Sequence, residues 1–119
     1  MDRTRYADVI PYTTKDGSEI RELMHPDVHG NRGQSLAEAI VPVAGETRLH
    51  RHHFSAELYH ITAGHGRMTL GESVLEVAAG DTVSIPASTP HCIANIGDVP
   101  LRILCCCSPA YSHADTELL

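Results

Sequence analysis

The sequence predicts an all-β domain of antiparallel strands closed into a sandwich or barrel. Three observations carry this reading. Glycine, proline and Asp/Asn punctuate the chain densely, the segments between are short and alternating or β-branched, and no stretch holds a convincing helical period. At 119 residues the chain is long enough for one domain and one core.

Residues 1–33 are the least patterned and read as an N-terminal extension. Ser18–Met24 is its one expected strand, serving as a sheet edge or dimer arm, and "HPDVHGNRGQ" reads as a long loop. Gln34–Val43 follows as a strand, although "SLAEAI" within it imitates a pair of helical turns. The next expected strands are Thr47–His52, Glu57–Ala63, Arg67–Leu70, Val74–Val77, Thr82–Ile85 and His91–Asn95. Leu101–Cys107 closes the series, within a last segment, 100–119, that otherwise reads as tail. The turns "VAGE", "TAGHG", "LGES", "AAGD", "IPASTP" and "NIGDVP" supply glycines for positive φ and prolines for fixed φ.

Composition narrows the function classes. Net charge is −6, and the 9 basic residues are scattered without a stripe, which argues against nucleic acid as a partner. The apolar runs "ILCCC" and "LAEAIVPV" fall far short of the roughly 20 residues that cross a bilayer, so no membrane partner is expected. "MDRTRYADVIPY" has no apolar core followed by small residues, so the expectation is a soluble, cytoplasmic protein. The 4 cysteines lack the spacing of a disulfide scaffold and fit a reducing compartment. Three of them are consecutive, so on a strand they alternate between faces and behave as small hydrophobes.

The stretch "LHRHHFSAE" concentrates the chemistry. On a strand Arg48, His50 and His52 share one face while Leu49, Arg51 and His53 share the other. Two imidazoles on one face chelate a metal. Glu57 joins them only if a turn at "HFSA" resets the register; in an unbroken strand His53 and Glu57 would be the pair instead. His91, at the end of a proline-stiffened segment, offers a further donor. Three imidazoles with one carboxylate suit Fe(II), Mn(II), Co(II), Ni(II) or Zn(II) better than Mg or Ca.

"GETRLHRHHFSAELYHITAG" resembles the first motif of the cupin superfamily, through Gly45, His50-x-His52, Glu57 and Gly64, with one residue fewer than usual between Gly45 and His50. "GDTVSIPASTPHCIAN" resembles the second, through Gly80, Pro86, His91 and Asn95, with Ser88 standing where glycine is usual. Both motifs lie within 45–95, a little under half the chain. The resemblance implies a double-stranded β-helix, or jelly-roll barrel, with one divalent transition metal held in its mouth by His50, His52, Glu57 and His91. Two further positions of an octahedron would stay open. It also implies a homodimer and a small-molecule substrate.

Other positions follow from parity. Tyr59 shares the parity of Glu57 and is expected inside, orienting substrate, moving a proton or simply packing. Arg48 shares the face of the first two ligands and is expected to fork onto a substrate carboxylate or to sit solvated at the barrel mouth. Cys106 and Leu104 are the expected pocket residues of the last strand, since the resemblance places a cysteine three before a proline inward. His53, His60, His65, His25, His29 and His113 read as outward or loop residues. The expected function is a metal-dependent enzyme, foremost an Fe(II)-type dioxygenase. The alternatives are a non-redox isomerase, lyase or epimerase, and a module that binds metal or a small ligand without turnover.

Overall fold

The computed structural model describes residues 3–119 and is mostly strand. Among the described residues eleven strands run in chain order: β1 Tyr12–Thr13, β2 Glu19–Met24, β3 Ser35–Val41, β4 His50–His52, β5 Ala56–Ala63, β6 His65–Leu70, β7 Ser73–Ala78, β8 Thr82–Ile85, β9 His91–Asn95, β10 Leu101–Ser108 and β11 Thr116–Leu118. They form two antiparallel sheets, ordered β1-β2-β3-β10-β5-β8 and β11-β4-β9-β6-β7. This is the jelly-roll architecture. Among the described residues, no helix is long and apolar enough to cross a membrane.

All nine expected strands are present, and two more flank them. β1 takes the sheet edge, so the first expected strand lies one place in. β11 turns what read as tail into a strand paired with β4. The loop expected at "HPDVHGNRGQ" contains one helical turn, α1 at Pro26–His29. Its start is fixed by Pro26 at the first position and by His25, whose ring accepts from the Asp27 N–H, and Gly30 ends it in the left-handed region.

Strand register divides the interior into two halves. β10 pairs with β3 and β5, placing Leu101 opposite Val41, then Ile103 between Ala39 and Ile61. The next inward layers are Cys105 between Ala37 and Tyr59, and Cys107 between Ser35 and Glu57. One end of the barrel is therefore an apolar plug, joined by Met68, Ile85 and Ile93, all fully buried. Each such side chain contributes on the order of 1.5–3 kcal/mol by leaving water. The other end buries polar groups: Asp16, His50, His52, Glu57, His91 and Thr116. Buried polar groups are tolerated only when partnered, so this half has to be explained by its chemistry.

Asn95 closes the second motif and serves the frame. Its amide donates to the carbonyls of Val41 and Val99, and its oxygen accepts from the Gly97 N–H. Ser88 adopts φ +67, which explains why glycine is usual there. The turn forms nonetheless, because the Ser88 N–H donates to the His52 carbonyl at 2.6 Å.

Candidate metal centre

His50 and His52 alternate correctly on the three-residue strand β4 and both enter the barrel. The chain then turns through His53, Phe54 and Ser55 before β5 begins, and this turn restores Glu57 to the inward face. Asp115 holds the turn from the tail: its two carboxylate oxygens accept from the N–H groups of Phe54 and Ser55 at 2.9 and 3.0 Å. Burial would raise the Asp115 carboxyl, but these donors outweigh burial and lower it. His53 faces solvent, 3.7 Å from Glu117.

His91 starts β9 directly opposite His50. One ring nitrogen from each of His50, His52 and His91 lies within 4.8 Å of the others. Oε1 of Glu57 sits 3.2 Å from Nε2 of His52 and 3.5 Å from Nε2 of His91. The structure thus brings together the four side chains that the motifs single out.

The hydrogen bonds behind the rings define their protonation. Nδ1 of His50 lies 2.8 Å from the Arg48 carbonyl, and Nδ1 of His91 lies 2.9 Å from the Thr89 carbonyl. A carbonyl only accepts, so both Nδ1 atoms carry the proton. Nδ1 of His52 meets Thr116 Oγ1 at 3.0 Å, and that hydroxyl gives its own proton to the Ser112 carbonyl. It too accepts from the ring. With Nδ1 donating in each ring, all three imidazoles turn Nε2 toward one point, as metal-ligating histidines do.

Glu57 makes the fit to a cation specific. Burial pushes its carboxyl up, but the contacts with His52 and His91 outweigh burial and hold it down at about 2. Its Oε2 accepts from the Cys107 thiol at 3.4 Å. Its Oε1 and the Nε2 of His91 are buried without a hydrogen-bond partner. A buried carboxylate facing these imidazoles is satisfied by protons on Nε2 or by a cation placed between them. The residues present fit a divalent transition metal.

Burial, followed by the charge of neighbouring His91, lowers the pKa of His50 and favours its neutral, ligating form. Tyr59 is buried in the cavity wall with its ring 5.9 Å from that of His91. Burial, then the Glu57 charge, pushes its phenol well up, so it stays protonated.

Three expected positions, Cys106, Leu104 and His25, are corrected, and of the two expectations for Arg48 the solvated one fits. Arg48 precedes β4 and is exposed, because the alternation begins only at His50; its carbonyl, not its guanidinium, serves the site. Cys106 and Leu104 lie on the outer face of β10, while Cys105 and Cys107 line the cavity. The strand runs continuously from the buried Leu101 and Ile103, so parity sends the odd-numbered cysteines inward. His25 is buried rather than solvated: its Nε2 donates to the Tyr111 carbonyl at 2.7 Å.

Several cavity residues carry no signal in the sequence. Asp16 is buried beside the centre, with Oδ2 3.8 Å from Nε2 of His50 and Oδ1 accepting from the Ser18 N–H and hydroxyl. It lies in "KDGS", which reads as an ordinary turn. Tyr111 stacks edge-on to His52 at 5.7 Å and, with Tyr12 and Glu22, lines the cavity.

The family model described as "Cupin domain" matches residues 37–107. The uncharacterized protein MJ1618 of Methanocaldococcus jannaschii is 57% identical over 117 residues, covering 98% of this chain and 94% of that protein. Among solved structures, the oxalate decarboxylase of Lactobacillus farciminis, as a formate complex, is 27% identical with a TM-score of 0.81. That match covers 95% of this chain and 34% of the decarboxylase, so this chain spans about a third of its length. The nucleoside dehydratase Pac13, from Streptomyces, superposes with a TM-score of 0.80 at 13% identity, covering 100% of this chain and 91% of that one.

Proposed function

The chain belongs to the cupin family, and on that premise we propose that it is a metal-dependent enzyme acting on a small polar molecule. One divalent transition metal, Fe, Mn, Ni, Co or Zn, is held by His50, His52, Glu57 and His91. The observation that carries this reading is the cluster of one ring nitrogen from each of His50, His52 and His91 within 4.8 Å, with the unpartnered Oε1 of Glu57 against two of them. When bound, the metal supplies Lewis acidity and, if it is iron, a redox couple for reaction with O₂.

The chain's own residues divide the remaining work. The carbonyls of Arg48 and Thr89 and the hydroxyl of Thr116 orient the rings, and Cys107 orients Glu57. Tyr59 stays a phenol at the wall and orients substrate or donates a proton. The cavity holds about 40 Å³, room for an ion and a very small ligand or a few waters.

The first reading of the reaction is O₂-dependent, an Fe(II)-type dioxygenase, because histidines with one carboxylate are the donor set of non-haem iron oxygenases. A second reading uses the metal only as a Lewis acid for a lyase, isomerase or epimerase. It is favoured by the buried Tyr59 phenol 5.9 Å from the His91 ring, a protonated group that can serve a lyase or isomerase without O₂. Metal analysis of protein purified without added metal tests the common premise: about one ion per chain is expected, and none after metal-replete growth overturns it. Oxygen uptake during turnover, against an anaerobic control, separates the two reactions. Ligand binding with no product in either assay points instead to a non-catalytic module.

A homodimer is the assembly we infer. Leu36 and Leu58 flank Cys106 on the outer face of the six-stranded sheet, with Leu104 beside them. Leu36 and Leu58 are 38% and 48% exposed, an apolar row suited to a second copy. Light scattering of wild type against Leu58→Glu reads this directly.

A further inference from the structure

We propose that the cavity selects a small uncharged molecule bearing hydroxyl or amide N–H donors and rejects anions, with Glu22 as the group that receives those donors. The proposal rests on the reading of this cavity as the substrate site.

The first observation is the sign of the wall. Asp16, Glu22 and Glu57 line the cavity, and among the described residues no lysine or arginine does. The nearest basic residues are committed elsewhere. Lys15 follows the chain out to donate to the carbonyls of Thr116 and His113 at 2.8 and 3.0 Å, and Arg48 faces solvent. Arg3 and Arg5 line a neighbouring surface groove that shares Tyr12 and Glu22 with the cavity but are not among the cavity's lining residues. A divalent cation among three carboxylates leaves the cavity net negative, so an anionic substrate gains no compensating charge on entry. Enzymes that recognise carboxylates or phosphates commonly place arginine forks on them, and among the described residues this wall offers none.

The second observation is an unmet acceptor. Oε1 of Glu22 accepts from the Tyr12 hydroxyl at 2.9 Å, whereas Oε2 is buried without a partner. An ionised carboxylate only accepts, so Oε2 calls for a donor from outside the protein. The hydroxyls around it are already engaged with one another: Tyr111 Oη lies 3.1 Å from Thr14 Oγ1 and 2.9 Å from Nδ1 of His113. Substrate hydroxyl or N–H groups satisfy Glu22, and a carboxylate facing it is repelled.

Glycolamide and glycolate test this, being nearly isosteric and differing by one charge. Both are titrated by calorimetry into Mn(II)-loaded wild type and into Glu22→Gln. Glycolamide is expected to bind at least tenfold tighter than glycolate to wild type, and E22Q is expected to narrow that ratio at least threefold. Glycolate binding as tightly as glycolamide overturns the proposal, as does an E22Q ratio within twofold of wild type when circular dichroism shows the variant folded. If the protein takes up no Mn(II), the metal reading fails by itself. The same pair is then titrated into metal-free wild type, where equal or tighter binding of glycolate overturns the charge selection.

Discussion

The Cys107 thiol donates to Oε2 of Glu57 across 3.4 Å, from facing positions on neighbouring strands. Burial, then the Glu57 charge, pushes that thiol's pKa up, so it remains a donor and leaves Oε1 free to face the histidines. Cys107→Ala strips Oε2 of its partner and lets the carboxylate rotate. Loss of such a supporting bond costs about 10-fold or more in metal affinity. We expect a competition titration with Mn(II) to show that loss in C107A and much less in C107S, whose hydroxyl still donates. Equal affinity in wild type and C107A would remove Cys107 from the site's support.

Metal removal should be read in stability as well as in activity. A metal that binds only the folded chain stabilises it by about 2.7 kcal/mol at a hundredfold excess over Kd. Chelation of the wild type should therefore lower Tm by several degrees, on the order of 10 °C for a chain of this length. His91→Ala removes one of the converging nitrogens. Its Tm should respond little to Mn(II) and its metal content should fall well below one ion per chain. A chelator-insensitive wild-type Tm would count against a resident metal.

The fold was legible because it depends on local punctuation and period. His91–Asn95 and Thr82–Ile85 are bounded by turn residues on both sides, and their limits agree with the structure to the residue. His50, His52, Glu57 and His91 were grouped by the resemblance to the cupin motifs, since parity alone left His53 with Glu57 as an alternative. What escaped depends on long-range pairing. Thr116 reaches His52 only because β11 pairs with β4, and Asp16 reaches His50 through a turn that looks like any other. The inward choice among Cys105, Cys106 and Cys107 follows from continuity with Ile103, a stronger guide than the distance to Pro109. Arg48 takes the solvated alternative, because the strand and its alternation start only at His50.

The metal-free protein should lose stability stepwise as pH falls. His50 has a folded pKa below its ordinary 6.5, because burial and then His91 disfavour its charged form. A depressed folded value contributes stability that is full above pH 6.5 and is lost as pH falls toward the folded pKa. Glu57, held at about 2 against an ordinary 4.5, adds a second contribution, present above pH 4.5 and lost on approach to pH 2. Its size is on the order of a few kcal/mol. Urea midpoints from pH 8 to pH 3 should decline first below pH 6.5 and again below pH 4.5. A midpoint that rises between pH 7 and pH 5 contradicts the assignment of His50.

Thiol labelling separates the two faces of β10. Cys105 and Cys107 are buried, and burial followed by the Glu57 charge raises both their thiol pKa values, so neither offers a thiolate. Cys106 and Cys92 are only partly buried. A soluble disulfide reagent should modify at most these two in the native protein, and all 4 cysteines of the sequence after unfolding. Modification of Cys107 ahead of Cys106, read by peptide mapping, would reverse the facing of the strand.

Asp115 links the tail to the metal centre without touching it. Its carboxylate oxygens accept from the Phe54 and Ser55 N–H groups, and its carbonyl accepts from the His53 N–H at 3.0 Å. The turn it holds sets Glu57 against His52, while the next residue, Thr116, orients the His52 ring. Asp115→Ala removes two charge-assisted bonds of the kind that cap helices, a loss of about 1–2 kcal/mol. The variant should therefore unfold at lower urea and bind Mn(II) more weakly, because a looser turn no longer fixes the carboxylate beside the rings. Asp115→Asn keeps one acceptor oxygen and should fall between the two. If D115A lowers stability but leaves Mn(II) affinity unchanged, the turn is a structural brace alone and Glu57 is positioned by its strand and Cys107.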